Sequence, residues 1–135
     1  IWSALDVLKV ERIDHGVQAV HDAALMQRLA QERIALTVCP LSNQKLRVFP
    51  DLKDHNLRQL LDAGLCATVN SDDPAYFGGY INDNFTQVFA ATGMTARHAY
   101  QLASNSFEAS FASDADKRVW QHRLKDAFDR FVEHD

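Results

Sequence analysis

Between Val10 and Cys66, short apolar or β-branched runs alternate with segments whose apolar residues recur at helical spacing, with turn-forming residues between them. That alternation predicts βα units and a parallel sheet. Residues 10–16 read as a strand that stops at Gly16, and residues 19–31 carry Val20, Ala24, Leu25, Met26 and Leu29 at helical spacing. The nearly continuous apolar run 34–40 predicts a strand covered on both faces and ended by Pro40. A loop over 41–50 is expected next, then a helix over 52–63 with Leu57, Leu60 and Leu61 on one face and Gly64 as its stop. Residues 66–70 read as a third strand. Beyond Tyr80 the pattern is helical throughout, over 82–92, 95–111 and 114–134, with Asn82, Thr95 and either Ser113 or Asp114 as caps. Phe85, Phe89, Phe107, Phe111, Trp120, Phe128 and Phe131 recur at helical spacing and are expected in the core.

Three parallel strands cannot close a barrel and leave two edges unpaired. The expected fold is therefore α/β, the C-terminal portion of a (β/α)8 TIM-type barrel: about three parallel strands with helices, followed by C-terminal helices. A full barrel takes about 250 residues, so on the order of 110 or more would lie elsewhere. A start without Met, inside a helical pattern, carries the same expectation that residues 1–135 are one partial domain. The composition, 47% apolar and 24% charged, is that of a globular chain. A net charge of −4 without a Lys/Arg stripe argues against nucleic acid and anionic membrane surfaces as partners, and favours a small uncharged molecule. No apolar run reaches the ~18 residues of a membrane span, and no signal peptide is recognisable, so a cytoplasmic location is expected. Cys39 and Cys66 sit in apolar runs and are expected to be reduced structural thiols.

In βα architectures, catalytic groups gather where the strands end. Here those ends read Asp14-His15-Gly16, Cys39-Pro40-Leu41-Ser42-Asn43 and Asn70-Ser71-Asp72-Asp73-Pro74. His15 is either a hydrogen-bonded structural residue or a proton-handling one. Asp72 and Asp73 are either an Asx turn or helix cap, or a pair whose alternating directions let one carboxylate hold a metal while the other faces a substrate. The remaining histidines, His21, His55, His98, His122 and His134, lack metal-ligand spacing and read as surface or capping residues. The segment Tyr76-Phe77-Gly78-Gly79-Tyr80 is either a hinge or a tight turn.

Taken in order and at βα-sized gaps, the three strand-end motifs resemble the last three of the adenosine/adenine deaminase family. The Cys-Pro-Leu-Ser-Asn and Asn-Ser-Asp-Asp-Pro-Ala-Tyr-Phe-Gly forms look more like its adenine-type branch. The resemblance implies hydrolysis of adenine, a 6-aminopurine, to hypoxanthine and ammonia by a zinc-activated water. It places His15 beside that water, Asp72 on the single zinc ion and Asp73 at N7 of the purine ring, with Ser42 and Asn43 lining the pocket. The family's His-x-His pair, third ligating His and proton-shuttling Glu have no counterpart in these residues, so the remaining zinc ligands are expected outside them. Alternatives are an adenosine deaminase, another hydrolase of the amidohydrolase superfamily, or a non-catalytic module that self-associates through its strand edges. Because a catalytic zinc normally takes three protein ligands, these 135 residues alone are expected to release no ammonia from adenine with zinc added; measurable turnover would contradict this.

Overall fold

The computed structural model describes residues 1–132. Its sheet has three parallel strands, β1 (Arg12–Asp14), β2 (Ala35–Val38) and β3 (Ala67–Val69), with β2 in the middle. Ile13 pairs with Leu36 and Leu36 with Ala67, while Asp14 pairs with Thr37 and Thr37 with Thr68. All three strands therefore end at the same level. They are shorter than the apolar runs suggested. At β1 the cause is local, because His15 (φ 56) and Gly16 (φ 73) both take left-handed backbone and turn the chain out of the sheet. Gly16 is required there twice over, since a Cβ would be strained at that φ and would stand 2.7 Å from Leu36 Cδ2.

The expected helices mostly form, with boundaries set by side chains that compete for backbone groups. A short helix α1 (Trp2–Asp6) comes first. The helix expected over 19–31 divides into a 3-10 turn, Val17–His21, and α2 (Ala23–Gln31). Asp22 makes the break: its carboxylate accepts from the Leu25 amide at 3.0 Å and from Trp2 Nε1 at 2.7 Å, capping α2 and tying it to α1. The expected loop 41–50 is wrong in its first half. Pro40 ends β2 and also opens α3 (Pro40–Lys45), where its missing N–H and fixed φ cost nothing. The helix expected over 52–63 is interrupted too, giving a 3-10 turn, Leu52–Asp54, and α4 (Leu57–Asp62). His55, in extended backbone between them, accepts the Leu57 amide on Nδ1 at 3.1 Å.

After β3 come α5 (Pro74–Phe77), α6 (Ile81–Thr92), α7 (Ala96–Glu108) and α8 (Asp114–Val132). The cap of α6 is not Asn82, which lies inside the helix; the Asp83 carboxylate accepts the Tyr80 amide at 2.8 Å. Thr95 does cap α7, where His98 Nδ1 accepts the Thr95 amide at 2.9 Å. Ser113 Oγ accepts the Asp116 amide at 3.2 Å at the start of α8. Among the described residues no helix is long and apolar enough to cross a membrane.

The core is aliphatic. Leu29, Leu36, Leu57, Leu60, Leu65, Val88 and Leu102 are fully buried between the sheet and the helices. The aromatic core expected from the sequence forms only in part: Phe85 and Phe89 are half-buried and pack against the aliphatic core, Phe107, Trp120 and Phe128 are half-buried, and Phe111 and Phe131 are 72% and 52% exposed. Leucine and valine already fill the layer against the sheet, so the rings of α7 and α8 pack helix on helix outside it. Phe107 lies 5.6 Å from Trp120, and Tyr100 4.8 Å from Phe128, joining α7 to α8. Over the exposed Phe111 ring sits the Arg12 guanidinium, 4.3 Å from its centroid.

Asn105 fixes α7 on the sheet. Its buried Nδ2 donates to the Ala67 carbonyl of β3 at 2.8 Å, and its Oδ1 accepts from Arg33 Nη2 at 3.2 Å. Arg33 also donates to Gly64 O at 2.9 Å and to Glu108 at 2.6 Å. Both members of that ion pair are near 40% exposed, so it adds little by itself. Asn105→Ala is expected to cost about 1–3 kcal/mol, the usual penalty for orphaning buried polar groups; the urea midpoint measures it, and an unchanged midpoint would contradict this anchoring role.

Candidate active site

The common strand level brings three segments to one rim. His15 follows β1, Cys39 to Asn43 run from the end of β2 into α3, and Asn70 to Asp73 follow β3. On that rim His15 Nε2 faces Asp72 Oδ2 at 3.6 Å, with side-chain exposures of 36% and 30%. Both groups are therefore held by the protein yet open to a ligand. Each takes left-handed backbone, φ 56 at His15 and φ 57 at Asp72, a conformation uncommon outside glycine and found at sites where a side chain must be aimed.

Two buried side chains of α3 hold the pair from behind. Ser42 Oγ donates to Asp72 Oδ2 at 2.7 Å, and Asn43 Nδ2 lies 3.1 Å from His15 Nδ1. Ser42 is fully buried and Asn43 2% exposed, so the sequence places polar groups where α3 otherwise faces the core. α3 is itself fixed from α6, where the buried Asn84 Oδ1 accepts the Leu41 amide at 3.1 Å. Gly79 packs so closely on Leu41 that any Cβ would collide with it, so this glycine serves close approach. At the edge of the rim, Thr37 Oγ1 donates to Asp14 Oδ1 at 2.8 Å.

Asp72 and Asp73 part as expected but for a different reason. β3 ends at Val69, so strand alternation does not separate them; the left-handed turn at Asp72 does. Asp73 Oδ1 accepts the Tyr76 amide at 3.1 Å and caps α5, the blander of the two sequence readings. A cleft of about 450 Å³ opens between Asp14, His15, Cys39, Asn70 and Asp72. A larger cavity of about 590 Å³ between α7 and α8 is lined by Glu108, Asp114, Lys117, Gln121, His122 and Lys125, but among the described residues its ligand-type atoms do not converge as those of the rim do. Chemistry, not size, singles out the rim.

The ligand-type atoms of His15, Cys39 and Asp72 lie within 4.8 Å of one another. Cys39 is the poorest donor of the three. Burial, reinforced by the negative charges of Asp72 and Asp14, pushes its thiol up to about 12, and its Sγ hydrogen-bonds the Thr37 carbonyl at 3.3 Å. Asp72 is the better one: a hard carboxylate, oriented by Ser42, with Oδ1 free of hydrogen bonds among the described residues. That donor fits a divalent cation such as zinc, which needs further ligands beside it. Both cysteines are free and buried as expected, and burial holds the Cys66 thiol near 11.

The sequence reading missed His55. Expected on the surface or as a cap, it is 4% exposed and its Nε2 lies 3.2 Å from Asn43 Oδ1, one residue removed from His15. The Phe49 ring packs against it, tilted by 42° with centroids 4.6 Å apart. Its spacing from the other motifs carries no signal; the apolar residues around it, Val48, Phe49 and Leu52, were the only hint of burial. His21 and His122 are exposed and His98 caps α7, as expected, while His134 lies outside the described residues.

Parallel strands whose ends present an oriented carboxylate and imidazole to an open cleft are an arrangement suited to metal-assisted hydrolysis on a barrel rim. The chain belongs to the adenosine deaminase family, whose model matches residues 1–127. It is 73% identical over 131 residues to an adenine deaminase of Albidiferax ferrireducens, covering 97% of this chain and 38% of that one. An adenine deaminase of Geotalea uraniireducens is 57% identical over 136 residues, again with 38% of its length covered. Among solved structures, adenine deaminase from Arthrobacter aurescens superposes with a TM-score of 0.89 at 50% identity, covering 93% of this chain and 38% of that one. An amidohydrolase from Burkholderia ambifaria with bound Zn gives 0.87 at 28% identity, covering 98% and 37%. The chain thus spans under two fifths of the length of these relatives, and its fold is that of the matching part of their barrel.

Burial depresses the His55 imidazole from its ordinary 6.5 to about 4. Between those values the unfolded chain binds a proton that the folded one refuses, so stability is fully present above pH 6.5 and falls as pH drops towards 4. The loss amounts to a few kcal/mol at most. Urea unfolding across that range is expected to show a steeper pH slope for the native sequence than for His55→Gln, and equal slopes would contradict it.

Proposed function

We propose that the whole protein carrying this chain deaminates adenine: water adds at C6, ammonia leaves, and hypoxanthine remains. The observation that carries this is the His15–Asp72 pair, 3.6 Å apart across the rim and held by Asn43 and Ser42. The names of relatives 57–73% identical over nearly the whole chain support adenine as the substrate. Residues 1–135 are then the C-terminal part of a single barrel domain.

Asp72 would hold one zinc ion, with further ligands from outside these residues; when bound, zinc supplies Lewis acidity and a nucleophilic water at a pH near 7. His15, whose Nε2 is open on the same rim as Asp72, would donate to the attacking oxygen and stabilise the charge that develops as C6 becomes tetrahedral. Asp73 would hydrogen-bond the ring at N7 with the oxygen not engaged by the Tyr76 amide, across one proton carried by N7 or by the carboxyl group, so that capping α5 also holds the side chain in place. Ser42 keeps Asp72 from turning away, and Asn43 does the same for His15. Ala67, Thr68 and Val69 of β3 are all buried, which anchors the two carboxylates to a rigid base.

In the whole protein, Asp72→Ala is expected to lose both bound zinc, read by elemental analysis, and ammonia release from adenine. His15→Ala should keep the metal while kcat falls by about 10²–10⁴-fold. Asp73→Ala should act on both KM and kcat. Full adenine turnover by Asp72→Ala, or turnover of adenosine but not adenine by the native protein, would overturn this reading.

A further inference from the structure

We propose that His55 is a positioning residue that sets the tautomer of His15 through the carboxamide of Asn43. The chain of hydrogen bonds has one direction only. A backbone N–H can only donate, and the Leu57 amide lies 3.1 Å from His55 Nδ1, so that nitrogen accepts and carries no proton. The ring is 4% exposed, packed against Phe49 and, among the described residues, within hydrogen-bond reach of no carboxylate, so it is neutral and its single proton sits on Nε2.

His55 Nε2 therefore donates to the group 3.2 Å away, which must be the oxygen of the Asn43 side chain. That fixes which way the amide faces. Its Nδ2 then points at His15 Nδ1, 3.1 Å away, and donates to it. With Nδ1 accepting, neutral His15 carries its proton on Nε2, the nitrogen that faces Asp72 Oδ2 at 3.6 Å. One main-chain donor at the start of α4 thus determines the polarity of three side chains and presents an N–H on the rim.

Reversing any link would reverse the rest. If Asn43 turned its oxygen to His15, Nδ1 would have to carry the proton and the rim would receive a bare acceptor. Asn43 is 2% exposed, so water does not compete for either end of its amide. On the deaminase reading, on which this inference rests for its catalytic consequence, His15 starts the reaction as a donor to oxygen and not as a base. His55 touches neither substrate nor metal; it acts through Asn43.

The test is the nitrogen NMR spectrum of the histidine side chains in the whole zinc-loaded protein, with ammonia release measured in parallel. The native protein should show His15 and His55 both with Nδ1 unprotonated and Nε2 protonated. His55→Phe removes the donor at similar bulk; His15 should then populate both tautomers, and kcat should fall by about 10–100-fold, the range seen when groups that orient a site's ligands are lost, with KM within about twofold. His55→Gln, which restores an N–H donor towards Asn43, should recover most of both.

Asn43→Asp offers His15 only acceptors and should move its proton to Nδ1, which keeps the proposal testable should His55→Phe fold poorly. A native His15 protonated on Nδ1, or an Asn43→Asp protein with the native tautomer, would overturn it. The spectrum does not depend on the substrate, so a protein inactive on adenine with the expected tautomers would sink only the deaminase reading. An active enzyme with the opposite tautomer would sink only the relay.

Discussion

Parallel pairing in register is the constraint from which the site follows. Because Asp14, Thr37 and Thr68 share one level of the sheet, the segments after them leave it together and converge on one side. His15 and Asp72 are 57 positions apart in the chain, and neither is near the other by any local rule. The hydrogen bonds of β2 to both neighbours bring them within 3.6 Å. Left-handed backbone at each then turns the side chain across the rim instead of along the strand. Such residues store strain, which the surrounding ladder and the buried contacts of α3 have to offset.

α3 is short, yet it does the most to organise the rim. Three of its faces are spoken for: Leu41 packs on Gly79 and is held by Asn84, Ser42 turns to Asp72, and Asn43 spans His15 and His55. Burying a serine and an asparagine is costly unless their groups are paired, and every one of those side-chain polar atoms has a partner. A network satisfied in full has few alternative arrangements, so the same bonds that offset desolvation also hold the imidazole and the carboxylate still. Binding energy and rigidity come from one set of contacts.

The C-terminal helices serve the rim at a distance. α7 is bolted to β3 by Asn105, and α8 rests on α7 through ring-to-ring contacts without burying any residue completely among those described. β3 is in this way braced on the side opposite its rim loop. Asp72 and Asp73 leave a strand whose three residues are all buried, so the loop moves from a fixed origin.

Much of this was legible in the residues alone. The short apolar runs and the period-3.6 patterns between them predicted three strands and the order of the helices, and the reactive types at the strand ends, His15, Ser42, Asn43, Asp72 and Asp73, are the ones found on or beside the rim. Periodicity is a local signal, and parallel strands with helical crossovers leave little topological freedom. What it could not give was anything decided by contact between distant segments. Whether the Phe residues of α6 to α8 lie in the core or on it depends on what already fills the layer. Whether a turn at Asp72 or strand alternation parts the two carboxylates depends on where β3 stops. The role of His55 was invisible because a hydrogen bond from its Nε2 to Asn43 exists only once the segment after Pro50 has folded back under α3. A sequence records which groups are available to pair; the distances and angles that make them donor or acceptor to one another belong to the folded chain.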